Sequence, residues 1–269
     1  MDCRWIKVLL ACIFLFLVYT TVYAERILPS SQDLARIEKR GRQIAEYQGV
    51  VEDVQSIFFA GAFADRNTIP IAIKKADKWT VYFGTFAKRR NKFEVIEVLI
   101  YPDVYSSEST QIDLEKLPKR IRTPREVVQR AGAIRCVLES LSVQEQSFQY
   151  NISVFREIDK TITVYLTPKS HNPEVILLGG DWKVSVAPGG SRVLNKTQLH
   201  RSTLEMSLRQ QKDKELVGGF HTHVLGDLPT ETDVALILLH PELGPHFIKG
   251  RQWLSIVNKD GKIAVQQDE

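Results

Sequence analysis

Cysteine is nearly missing from this chain, with three among 269 residues, at positions 3, 12 and 136. Cys3 and Cys12 fall within a leader expected to be removed, which leaves Cys136 alone and excludes an internal disulfide framework. Cys136 lies in an apolar helical stripe, so it is expected to pack rather than react. Low-complexity tracts and internal repeats are also absent, and the charged and apolar fractions are those of a globular protein. Charge of one sign is scarce: 36 Lys and Arg against 32 Asp and Glu leave a formal net charge of +4. The basic residues Lys116, Lys119, Arg120, Arg122 and Arg125 are therefore read as a solvated face or an envelope-surface contact, with no nucleic-acid partner expected. Histidine does not occur before residue 171, and all six lie at 171, 200, 221, 223, 240 and 246.

The one long apolar run is at the start. Residues 1–7 carry Arg4 and Lys7, residues 8–24 are uncharged and apolar, and Val22-Tyr23-Ala24 offers compact residues before Glu25. This is the shape of a secretory signal peptide cleaved after Ala24. The expected product is exported, periplasmic or secreted, with no membrane span left. Two alternatives stay open: an uncleaved anchor, since the run nearly reaches membrane thickness, and lipidation of Cys12 within Leu9-Leu10-Ala11-Cys12.

The mature chain reads as α+β, with a mixed sheet and flanking helices in its C-terminal half and a smaller α+β region before it. Its expected divisions are residues 25–110, a helical connector at 111–150 and a C-terminal domain at 151–269. Residues 31–48 have apolar positions at Leu34, Ile37, Ile44 and Tyr47, an amphipathic helix capped by Ser30 or Ser31. Residues 50–64 are apolar enough for helix or strand. Residues 79–86 and 92–101 form a hairpin with a basic tip, and 101–118 is a polar linker. Thr123-Pro124-Arg125-Glu126 predicts a capped helix start. Strands are expected at 160–167, 175–178, 182–186, 191–195, 253–257 and 262–265, and a charged helix over 202–216.

The chemistry concentrates in residues 216–246. Residues 216–220 are apolar or Gly and read as a short buried strand. Side chains two apart on a strand share a face, so His221 and His223 present both imidazoles together. After Pro229, Thr230-Glu231-Thr232-Asp233 precedes an apolar run of helical length, which puts Asp233 in a first turn. Two imidazoles and a carboxylate make a three-ligand zinc set with a fourth position for water. The same Thr-x-x-Asp is equally a helix capping box.

His221-Thr222-His223 followed by Thr230-Glu231-Thr232-Asp233 resembles the His-x-His and Ser-x-x-Asp signature of the JAMM (MPN-type) metalloproteases, with Thr230 where that family has Ser. The resemblance covers the last third of the chain. It implies zinc on His221, His223 and Asp233, an upstream glutamate as general base (Glu174 matches best, with Glu205 and Glu215 as alternatives), and the Thr230 hydroxyl steadying an oxyanion. The implied activity is hydrolysis of an amide or isopeptide bond in a peptide or protein substrate. The competing expectation is a non-catalytic exported envelope protein whose metal site is structural or vestigial.

Overall fold

The computed structural model describes residues 28–60, 68–76, 78–87, 92–102, 115–116, 123–142, 145–207 and 218–267. The expected signal peptide, the basic hairpin tip, most of the polar linker and Glu215 lie outside the described residues. No helix among the described residues is long and apolar enough to cross a membrane.

The chain divides into two compact units, Met1–Ala35 and Arg36–Glu269. In the first, Ser30 caps helix α1 (Ser31–Ala60): its hydroxyl accepts the Asp33 N–H at 3.0 Å. The helix runs on through the stretch that could have been helix or strand. In the second unit Ile37, Ile44, Tyr47, Val50 and Val54 form its buried stripe, a single helical period carried across Gly49.

Strands β1 (Ile69–Lys75), β2 (Lys78–Phe86), β3 (Phe93–Pro102) and β4 (Glu115–Lys116) form one antiparallel sheet in that order. Helix α2 (Arg125–Glu139) follows, with Pro124 at its cap and no side-chain capping bond. The Thr123 cap is therefore not formed. Glu126, which would reach back in a capping box, is instead ion-paired to Arg130 at 2.6 Å. Next come β5 (Gln149–Arg156), β6 (Ile162–Lys169), β7 (Val175–Gly179), β8 (Trp182–Val186), β9 (Val193–Gln198) and β10 (Thr203–Ser207). Strands β5-β6-β8-β9 make a second antiparallel sheet, while β7 and β10 pair separately.

The helix expected over 202–216 is corrected here: Thr203–Ser207 is a strand, so Glu205 lies on β10. Five residues of backbone pairing along β7 outweigh the local helical pattern, and Met206 is thereby carried to the core. The last stretch comprises β11 (Gly219–Thr222), α3 (Glu231–Leu239), β12 (His246–Lys249), β13 (Trp253–Val257) and β14 (Ile263–Gln267). Here β11 and β12 are parallel and the remaining pairs antiparallel. The class is α+β with mixed pairing.

Two packing layers fix α3. On one side Val234 and Ile237 join Ile37, Ile176, Leu243, Ile248 and Val257 in a buried cluster. On the other, Ala235 packs with Ile44, Ala45 and Tyr165. A helix that is apolar all round belongs between two layers. The close approach of α1 depends on Gly41, where an added Cβ would sit 2.5 Å from the Val234 Cβ and 2.9 Å from the Glu231 carbonyl oxygen.

Candidate metal centre

Asp233 enters the site through the helix start. Thr230 is the N-cap of α3; its hydroxyl accepts the Asp233 N–H at 3.3 Å, and Asp233 Oδ2 accepts the Thr230 N–H at 2.6 Å. The capping box is thus formed, and it holds the carboxylate in one orientation. The other oxygen, Oδ1, has no hydrogen-bond partner and is buried.

The imidazoles arrive from two other elements. In β11 burial alternates, with Gly219 and His221 inward and Phe220 and Thr222 outward, and His223 continues the inward face just past the strand. The His223 N–H donates to the Lys249 carbonyl at 2.8 Å, extending the parallel pairing. Gly219 is required because the His246 ring fills the place of its side chain: an added Cβ would lie 2.2 Å from His246 Nδ1. The third imidazole was not foreseen. His200 follows β9, and its Nδ1 is 2.6 Å from Asp181 Oδ1. Asp181 reaches it because Gly179 and Gly180 adopt positive φ (83° and 69°) and turn the chain sharply between β7 and β8.

The side chains of His200, His221, His223 and Asp233 are all buried, and one donor atom from each lies within 4.8 Å of the others. His200 Nε2 and His221 Nε2 stand 3.2 and 3.4 Å from Asp233 Oδ1; His223 Nε2 is 3.3 Å from Oδ2. A tetrahedron with metal–ligand bonds of about 2.0–2.1 Å has edges of about 3.3 Å. The His200 and His223 Nε2 atoms approach closer, at 2.8 Å. Each imidazole is held by its far nitrogen: His200 Nδ1 on Asp181, His223 Nδ1 on the Leu228 carbonyl at 2.8 Å, and His221 Nδ1 on His246 Nε2 at 2.7 Å. Anchoring Nδ1 directs Nε2 at the shared point, as in histidines that ligate metals. His221 Nε2, like Asp233 Oδ1, is a buried atom without a hydrogen-bond partner. The group can hold a metal ion, and the chemistry of its donors fits one.

The electrostatics point the same way. Burial disfavours a charged His200, but the carboxylates of Asp233 and Asp181 outweigh it and raise its pKa to about 11. Protonated His200 thus stands in as the cation two buried carboxylates need. Burial pushes Asp233 up, yet His200 and His223 hold it well below the usual carboxylate range. His221 is pushed down to about 3, mainly by burial and further by the neighbouring imidazoles, against the pull of Asp233. Burial is also the main cause lowering His246.

Of the residues singled out in the sequence, His221, His223 and Asp233 come together. Thr230 lies beside them, but its hydroxyl is engaged by Thr232 Oγ1 and Asp233 Oδ2, both at 2.8 Å. Glu174 lies outside the group, in the turn before β7 with its N–H donating to Asn172 Oδ1. The opposite end of that strand, Gly179, borders His200, which puts Glu174 about 16 Å away along the strand. Sequence reasoning missed His200 and Asp181. The confinement of every histidine to residues 171–246 was the signal that could have found His200.

The chain matches no protein-family model, no curated protein and no solved structure.

Proposed function

We propose that this chain is an exported zinc-binding protein in which His200, His221, His223 and Asp233 all ligate the ion and the metal is structural. The observation that carries this reading is the fourth protein donor, His200 Nε2, 3.2 Å from Asp233 Oδ1. Catalytic zinc sites keep a position open for water, whereas structural sites close the tetrahedron with protein atoms. Three imidazoles and one carboxylate suit zinc. The absence of a free carboxylate in the described site supports the same reading: Asp181 has one oxygen on His200 and the other on the Thr232 hydroxyl. Bound there, the ion ties the chain after β9, the β11 strand and the α3 start together, so its binding energy adds to folding. Export rests on the apolar 8–24 stretch and its signal-peptide shape.

The second reading is the JAMM-like amide hydrolase, with His221, His223 and Asp233 as ligands and a water in the fourth place. A cavity of about 60 Å³ bordered by Asp181, His200, Thr232 and Asp233 favours it, since it has room for water beside the ligands. One variant separates the two. With four protein ligands, His200→Ala loses zinc to a chelator that leaves the wild type loaded, while His171→Ala, altering an exposed histidine, behaves as wild type. Full retention of zinc by His200→Ala would sink the closed-site reading and favour the hydrolase.

A further inference from the structure

Away from the metal, α1 faces the β5-β6-β8 sheet across a groove of about 550 Å³. Six cations line it: Arg36, Lys39 and Arg40 from α1, Arg130 from α2, Arg156 from β5 and Lys183 from β8. Among the described residues, the carboxylates that line it are Glu157 and Glu231. Both are committed, Glu157 to Arg40 through contacts of 2.9 and 2.7 Å and Glu231 to Lys183 at 2.6 Å. Arg130 is likewise paired, to Glu126 at 2.6 Å, so the surplus of positive charge in the groove centres on Lys39 and Arg156. Like charges gathered this way repel one another unless an anion joins them. Arg130 is spent inside the fold, on the carbonyls of Ala72 and Val154 and on Glu126. Lys39 and Arg156 are exposed and make no ion pair among the described residues.

We propose that this groove binds a ligand carrying at least two linked phosphate groups. Its volume lies in the range of small-molecule sites, roughly 300–1,000 Å³, and exceeds the needs of a single phosphate. Guanidinium forks and ammonium groups are the partners phosphate oxygens take. A diphosphate also supplies the multiple negative charge that the excess cations call for. Phe155 and Tyr165 line the groove beneath Arg40 and Lys183, with cation-to-ring distances of 4.8 and 5.7 Å, and keep those two cations in place. Two linked phosphates have two sources, a soluble diphosphate or a lipid headgroup that itself carries two phosphates, and fully exposed Ile158 beside Arg156 leaves room for the second.

Calorimetric titration with pyrophosphate, alongside sedimentation with cardiolipin and phosphatidylcholine vesicles, tests the proposal. Pyrophosphate is expected to bind one per chain and more tightly than orthophosphate. The double substitution Lys39→Ala/Arg156→Ala should weaken it by about tenfold or more, while Lys78→Ala, at an exposed lysine outside the groove, should change nothing. Both substituted side chains are exposed, and circular dichroism checks that the variant is folded; Lys39→Gln and Arg156→Gln singly replace it if it is not. Binding to cardiolipin vesicles alone, lost in the same variant, supports the two-phosphate headgroup as source. Failure to bind either probe, or binding that survives the substitutions, overturns the proposal.

Discussion

At the head of α3 the Asp233 carboxylate divides its oxygens, Oδ2 closing the helix cap beside His223 and Oδ1 facing His200 and His221. The two sequence readings of Thr230-x-x-Asp233, cap or ligand, are compatible because a carboxylate has two oxygens. Asp181 is the next residue on which the site depends. It fixes the His200 Nδ1–H and, through Thr232 and Thr230, connects back to Asp233. Asp181→Asn should leave the fold intact but weaken metal affinity by about 10–100-fold, the usual effect of losing such an anchor; competition with a fluorescent chelator measures it, and unchanged affinity would remove Asp181 from the site. His221, His223 and Asp233 were legible because strand alternation and a helix start bring near neighbours together. His200 and Asp181 were not, because they meet through a turn between two strands whose pairing the sequence does not display.

Among the elements, the contact of α1 with α3 gives a prediction whose sign opposes intrinsic propensity. In an exposed helix Gly→Ala stabilises by about 1 kcal/mol. At Gly41 the new methyl would meet Val234 and the Glu231 carbonyl, so Gly41→Ala should destabilise by about 1–3 kcal/mol in denaturant unfolding; a gain would refute the packing described. A second prediction concerns Glu145, in the short helical turn before β5. Burial pushes its carboxyl up, but the Lys196 ammonium and the Ser142 bonds outweigh this and hold it below its ordinary value. A folded pKa below the unfolded one stabilises above the ordinary carboxylate range, and the contribution is lost as pH falls through the folded value. Lys196→Met should therefore cost stability at pH 7, by a margin that shrinks as the pH drops below about 4. A difference independent of pH would assign the loss to the Lys196 contact with the Trp182 ring instead. Most strands were readable from alternation, as in β6 and the β8–β9 hairpin. Strand β10 was not, since its exposed Leu204 and Glu205 follow the partner edge of β7 rather than any local pattern.

For the molecule as a whole, a metal that closes the site must appear as stability. Free zinc at a hundred times its dissociation constant contributes about 2.7 kcal/mol, which in a chain of this size raises the unfolding midpoint by roughly 5–10 °C. Chelation should remove that increment from the wild type and not from His221→Ala. The most direct measurement is X-ray absorption at the zinc edge of the purified, metal-loaded protein. The account predicts four nitrogen and oxygen neighbours at about 2.0–2.1 Å, with multiple scattering from three imidazole rings. A spectrum with two imidazoles and solvent oxygen, or a hydrated ion with no imidazole, would contradict it.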